Sequence, residues 1–409
     1  MHLSKLQLLP NQCIQISGSK SESNRLLILQ KLWGDFEVKN LSNSQDTQLL
    51  KKALESKDET IDIHHAGTAM RFLTSYFAIQ EGKTTILTGS KRMKERPIHH
   101  LVSALRSLGA DIQYLENEGF PPLKINGKKL TKNFVKIPAN ISSQFISSLI
   151  LIGSQLENGL TIQLEGEITS RPYLEMTLKQ LSELRGIHLK CNSEQMICIP
   201  PLSKTENQTP KITFVVESDW SSASYFYSMV AIGRENIYLK HFKENSLQGD
   251  AILVDIYRGF FGVETIFNDN ESIELHPKQQ FEFPKRIELN MKHCPDLAQT
   301  ICITASALNI HFKINGLSTL KIKETDRLLA LHNELLKIGV ETKITENSIE
   351  SITFSKPQSS ISIATYNDHR MAMSLAPYAL VAPLEIQNPE VVEKSYPNFW
   401  RDFKAITLA

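Results

Sequence analysis

The strongest constraint on how this chain can fold is a short phrase that returns at almost constant spacing. Leu108-Gly109-Ala110, Arg185-Gly186-Ile187, Phe261-Gly262-Val263 and Ile338-Gly339-Val340 each set a glycine after an amphipathic run and before a strand-like one, and these glycines lie 77, 76 and 77 residues apart. Glycine suits the point where a helix ends through left-handed backbone and turns into a strand, because it has no Cβ to clash there. A regular interval of this kind marks an internal repeat, one supersecondary unit recurring along the chain.

Filling in the units predicts helices starting near Ser21, Gly67, Ser142, Trp220, Asp296 and Asp368. A second series starts near Asp46, Pro97, Pro172, Gly249, Thr325 and Pro397, where proline fits the first helical turn. Between them run strand-like stretches such as Thr84–Leu87, Leu160–Leu164, Ile212–Val216 and Ile361–Ile363, rich in β-branched residues. The pattern predicts an α/β protein of six similar units shared between two domains, a division that 409 residues also favours. The boundary is expected around Val215 to Asp219, after the polar stretch Ser203-Lys204-Thr205-Glu206-Asn207-Gln208-Thr209-Pro210.

With 45 basic against 44 acidic residues the chain has no field to collect nucleic acid or a membrane surface. Any basic site must therefore be local. The cysteines, Cys13, Cys191, Cys198, Cys294 and Cys302, form no CxxC pair and read as reduced, mostly buried thiols of a cytosolic protein. The first residues lack a signal-peptide pattern, and no stretch reaches 18 apolar residues. The expectation is a cytoplasmic protein outside the membrane.

Several strand-to-helix junctions place cations beside hydroxyls or acids. Gly18-Ser19-Lys20-Ser21-Glu22-Ser23-Asn24-Arg25 offers Ser21 as a helix cap, with Lys20 and Arg25 near the positive helix end. His65-Ala66-Gly67-Thr68 lets a ligand approach backbone at Gly67, and Lys91–Pro97 gathers four cations, Arg96 among them. Ser142, Ser143 and Gln144 open one predicted helix, and Ser170 with Tyr173 another. In Lys323-Glu324-Thr325-Asp326-Arg327 the cations stand one helical turn apart if the helix includes both, with acids between. Asp296 and Asn367-Asp368-His369-Arg370 stand at further helix starts. Taken singly, each segment also reads as a capped helix, a tight turn or a solvated ion-pair face. The pairs His64-His65 and His99-His100 do not share the i, i+4 face of a helical metal site, so no metal is expected.

Together and in this order, from Gly18 to Lys394, these segments resemble the 5-enolpyruvylshikimate-3-phosphate synthase family. The resemblance implies an enolpyruvyl transferase-like fold: two domains, each of three βαβαββ-type units, with the active site in the interdomain cleft. It implies residues 18–216 as one domain, and 1–17 with 217–409 as a discontinuous second. The implied reaction moves the enolpyruvyl group of phosphoenolpyruvate to the 5-hydroxyl of shikimate 3-phosphate and releases phosphate, on the route to chorismate and aromatic amino acids. No cofactor is implied, a monomer is expected, and glyphosate competes for the site across the family.

Residue by residue, Asp296 matches the family's general base and Glu324 the carboxyl that transfers a proton at the enolpyruvyl carbon, with Lys20 as a third catalytic group. Lys20, Gly67, Arg96, Gln144, Arg327, Arg370 and Lys394 match phosphoenolpyruvate contacts. Lys20, Ser21, Arg25, Ser142, Ser143, Gln144, Ser170, Tyr173, Asp296 and Lys323 match shikimate 3-phosphate contacts. His65 replaces the usual asparagine, Phe72 a frequent proline, and Thr319 an asparagine found in some members, while strands expected before His64 are largely missing. Two other readings compete. The sister transferase acting on UDP-N-acetylglucosamine usually carries a reactive cysteine in the loop here formed by Gly89–Arg96, and no cysteine lies between Cys13 and Cys191. A non-catalytic anion-binding protein has no need of Asp296 and Glu324 among its cations.

Overall fold

The computed structural model describes residues 1–34, 36–186, 189, 195–202 and 212–409. Cys191, Ile187 and the stretch Ser203–Pro210 lie outside these described residues. The chain divides into two compact units, Gly18–Val216 and a discontinuous one formed by Met1–Ser17 with Glu217–Ala409.

One topology recurs. In the first unit Thr60–Asp62, the helix Gly67–Ala78, Thr84–Thr88, the helix His99–Leu108, Asp111–Tyr114 and Leu123–Asn126 follow one another. The first two strands pair in parallel; the last strand then inserts antiparallel to the second and carries the third on its outer side. The same four-stranded order is built from Gln12–Ile14, Ile237–Lys240, Val263–Phe267 and Ser272–Pro277. It returns in Arg286–Asn290, His311–Asn315, Val340–Ile344 and Ser348–Phe354. Shorter versions comprise Phe134–Pro138, Leu160–Glu165 and Met196–Ile199, Ser362–Ile363 and Leu384–Ile386 closed by His2–Leu3, and Glu37–Lys39 with Thr213–Val215. Just before His64 lies the short strand Thr60–Asp62, and Glu37–Lys39 comes earlier in the same unit.

Local chemistry accounts for these elements. Gly109, Gly186, Gly262 and Gly339 all have positive φ, between 63° and 108°, as the repeated phrase predicts. At Gly339 a Cβ would come 2.3 Å from the Ser355 carbonyl oxygen, so backbone crowding excludes a side chain too. Leu160–Glu165 alternates, burying Leu160, Ile162 and Leu164 as a sheet with one covered face requires. Each unit has its own apolar core, around Leu29, Leu73 and Ile150 in one and Phe226, Ile301 and Leu331 in the other.

Three local expectations need correction. Ser19, not Ser21, caps the helix Lys20–Trp33 and accepts from Glu22 N at 3.4 Å; its backbone is still extended, with ψ 125°, so the helix starts sooner. Lys323 lies outside the helix Arg327–Lys337, in extended backbone. Cys294 and Cys302 are buried, but Cys13 and Cys198 are exposed, because each occupies an outward position of its strand. Among the described residues no helix is long and apolar enough to cross a membrane.

Candidate active site

In the discontinuous unit four cations and three carboxylates interleave. Arg327 opens its helix, where Asp326 caps by accepting from Leu329 N at 3.1 Å. Its guanidinium, 2% exposed, donates from Nε to Asp368 Oδ2 at 2.7 Å, from Nη1 to Asp296 Oδ1 at 2.9 Å and from Nη2 to Glu324 Oε2 at 2.7 Å. Arg370 Nη2 donates to Asp296 Oδ2 at 3.2 Å, and Lys323 Nζ lies 3.4 Å from Asp296 Oδ1. Lys394 Nζ donates to Glu324 Oε1. The sequence candidates Asp296, Lys323, Glu324, Arg327, Arg370 and Lys394 therefore form one connected cluster, although the helix periodicity that suggested pairing Lys323 with Arg327 does not apply.

In the sequence Asp368 reads only as part of a helix start. It does cap the helix His369–Leu375, accepting from Arg370 N at 2.9 Å, and the same fully buried carboxylate anchors Arg327. Ser221 and Asp250 gave no sequence signal. Arg370 Nη2 donates to Ser221 Oγ at 3.3 Å, and Ser221 donates in turn to Asp250 Oδ2.

The electrostatics separate the carboxyls. Burial pushes Asp296 up, but Arg370, Lys323 and Arg327 outweigh it and hold the carboxyl well below the ordinary range. Asp250 is raised to about 6, because burial dominates and the attraction of Arg370 is opposed by Asp296. Lys323 is lowered, burial exceeding the pull of Asp296. Asp296 is thus a firmly ionised carboxylate whose basicity is suppressed by three cations. An anionic ligand that engages those cations would return basicity to it.

In the unit Gly18–Val216 the helix Lys20–Trp33 brings Lys20 Nζ to 3.5 Å from Asp46 Oδ2, and His65 Nε2 lies 3.8 Å from Oδ1 of the same carboxylate. The helix Gly67–Ala78 has no side-chain cap, so its first N–H groups present a positive end. A Cβ at Gly67 would come 2.6 Å from Arg96 Nη1 and 3.0 Å from Arg71 Nη1, so two guanidiniums crowd that end. Gln144 Nε2 donates to Thr68 Oγ1 at 3.2 Å, joining the same helix start. Asp46 and Arg71 were missed as site residues in the sequence; a first-turn acid and an early helical arginine look like ordinary helix chemistry.

Arg25 is directed inward. It donates from Nε to Thr177 Oγ1 at 2.6 Å, from Nη1 to Ser21 O at 2.8 Å, and from Nη2 to Ser147 Oγ at 3.1 Å and Tyr173 O at 3.2 Å. These partners are neutral, and Phe72 lies 5.4 Å from the guanidinium carbon. Burial lowers Arg25 to about 10, against the opposing pull of Tyr173 and Glu22. Ser142 caps the helix Ser143–Gly153 through Gln144 N. Ser170, at φ 52°, makes no capping bond.

The sequence profile of the family described as EPSP synthase (3-phosphoshikimate 1-carboxyvinyltransferase) matches residues 50–403. A 3-phosphoshikimate 1-carboxyvinyltransferase of Bacteroides fragilis (strain YCH46) is 44% identical over 396 residues, covering 96% of this chain and 94% of its own length. One from Haemophilus influenzae (strain ATCC 51907 / DSM 11121 / KW20 / Rd) is 36% identical over 431 residues, covering 97% and 96%. In fold, the chain is similar to an EPSP synthase from Acinetobacter baumannii, with TM-score 0.74 at 20% identity over 100% of this chain and 99% of that one. It is also similar to the enolpyruvyl transferase NikO from Streptomyces tendae, with TM-score 0.72 at 12% identity over 99% and 96%. The repeated topology, the acid–cation cluster and relatives spanning nearly the whole sequence lead to one conclusion: the chain belongs to the EPSP synthase (3-phosphoshikimate 1-carboxyvinyltransferase) family.

Proposed function

We propose that this enzyme transfers the enolpyruvyl group of phosphoenolpyruvate to the 5-hydroxyl of shikimate 3-phosphate. The observation that carries the residue assignment is the placing of two carboxylates, Asp296 and Glu324, on either side of Arg327. In this reading Asp296 takes the proton of the 5-hydroxyl as its oxygen bonds to C2 of phosphoenolpyruvate. Glu324 delivers a proton to the methylene carbon, giving a tetrahedral intermediate. Glu324 then takes back a methyl proton as the double bond re-forms and the C2–O bond to phosphate breaks, and the proton on Asp296 leaves with the phosphate, so both carboxyls return to their starting states.

Lys20, Gly67, Arg96, Gln144, Arg327, Arg370 and Lys394 serve phosphoenolpyruvate. Lys20, Ser21, Ser142, Ser143, Gln144, Ser170, Tyr173, Asp296 and Lys323 serve shikimate 3-phosphate. Arg25 contributes chiefly its charge, since four of its five N–H groups already have protein acceptors. Substrate phosphate and carboxylate groups compete with Asp296 and Glu324 for the cations, so binding itself readies the two carboxyls for proton transfer. The unit 18–216 takes mainly the shikimate phosphate, and 1–17 with 217–409 supplies the acid–base pair. The enzyme works as a cytoplasmic monomer without metal or organic cofactor.

Phosphate release from phosphoenolpyruvate tests the proposal, with shikimate 3-phosphate and UDP-N-acetylglucosamine offered separately. Release only with the first acceptor, lost in Asp296→Asn, is the expected result. Release with the second acceptor, or with neither from folded protein, refutes it.

A further inference from the structure

Two basic side chains meet on one buried carboxylate where the helices Lys20–Trp33 and Gln45–Glu55 pack near the start of Gly67–Ala78. Asp46 is 2% exposed and lies in the first turn of Gln45–Glu55. Its oxygens stand 3.5 Å from Lys20 Nζ and 3.8 Å from His65 Nε2. Both separations exceed a good hydrogen bond, and Oδ1 accepts none among the described residues. The carboxylate is thus shared, and a movement of about an ångström toward either base would close one pair and open the other.

We infer that His65 is a positioning residue for Lys20, acting through Asp46: the protonated imidazole draws the carboxylate to itself and leaves the Lys20 ammonium to the anionic ligand. When the imidazole is neutral, Asp46 holds Lys20 back. The His65 side chain is 37% exposed, so it exchanges protons with solvent. Other charged or titratable groups at the N-terminal turns of these elements are Glu22 and Arg25 after Lys20, Arg71 after Gly67, and Asp62 and His64 before His65. Arg96 approaches Gly67 from the segment after Lys91–Lys94. This inference rests on the reading that Lys20 binds the substrates' anionic groups.

Two measurements on the full chain test it. The first is the Michaelis constant for phosphoenolpyruvate from about pH 6 to about 8.5, in the parent and in His65→Asn, with shikimate 3-phosphate saturating. The titration of the phosphate itself is common to both proteins. The parent's constant should rise about three- to tenfold more over that range than the variant's, a tenfold change corresponding to a full unit of coupled pKa shift, with kcat changing alike in both. The second follows the His65 ring by NMR without substrate. In Lys20→Gln its titration midpoint should move up by about half a unit or more as Asp46 turns to it, and in Asp46→Asn it should move down. Superimposable Michaelis-constant profiles, or a midpoint indifferent to Lys20→Gln, overturn the inference. Absence of turnover with shikimate 3-phosphate in the parent would instead defeat the functional reading, and the NMR result would still decide whether Asp46 couples the two bases.

Discussion

Replacing Arg327 by methionine should unsettle its unit before it affects any ligand. The guanidinium is 2% exposed and its partner Asp368 is fully buried, while Asp296 and Glu324 lean on the same group. Methionine fills much of the volume but leaves these carboxylates one cation short. Breaking a buried pair from one side costs about 3–5 kcal/mol. For a unit of about 200 residues each kcal/mol moves Tm by about 2–4 °C, so its transition should fall by roughly 6–20 °C. The pH dependence follows from Asp296, whose carboxyl is held below the ordinary range despite burial by Arg370, Lys323 and Arg327. A depressed carboxyl contributes stability above its unfolded value and loses it as pH falls toward the lower native one. The parent–variant difference should therefore be largest near neutrality and shrink below about pH 4. Calorimetry of both proteins from about pH 3 to about 8 measures this, with Arg327→Lys keeping the charge but losing the planar fork. A transition within about 3 °C of the parent near neutrality would refute the claim that Arg327 holds the cluster together.

Other outcomes follow from neighbouring observations. Asp296→Asn should lower kcat about 10²–10⁴-fold while phosphoenolpyruvate binds as tightly or more tightly by calorimetric titration, since an anion competing for Arg370, Lys323 and Arg327 has gone; weakened binding would contradict this. Burial raises Asp250 to about 6, so the native state holds that proton more firmly than the unfolded chain, and stability should fall as pH rises from about 4 to about 6. Asp250→Asn should lack this slope and be about 1–3 kcal/mol more stable than the parent near pH 8, as denaturant titrations at several pH values would show. A Cβ at Gly18 would stand 1.8 Å from the Asn40 carbonyl oxygen and 2.9 Å from Val216 Cγ1, so Gly18→Ala should cost at least about 1–3 kcal/mol by urea unfolding.

The repeat was legible because its punctuation is local. A glycine at Gly109 or Gly262 reports left-handed backbone without knowledge of the partner strand, and helices begin within two residues of the expected starts, including Trp220 and His369. The acid–cation cluster was legible mainly through resemblance, since spacing alone suggested a helical pairing of Lys323 with Arg327 that the backbone does not make. Residues whose role arises from long-range approach stayed hidden. Asp368 reaches Arg327 across 41 positions, and Arg25 finds Thr177 across 152; no periodicity encodes either encounter. Asp46 and Ser221 likewise look like helix-start residues until the fold supplies their neighbours.

The discontinuous unit imposes an order of events on synthesis. His2–Leu3 pairs with Leu384–Ile386, Gln7–Leu8 with Thr407–Leu408, and Gln12–Ile14 with Ile237–Lys240. These leading strands therefore wait for partners that are synthesised hundreds of residues later. At about 5–20 residues per second that delay is about 20–80 s, during which Gly18–Val216 can complete its own sheets while the leading segment travels with open strand edges. A nascent chain halted after Val216 should protect the intervening unit from proteolysis and leave the leading strands cleavable, so those strands close only once their distant partners have been made.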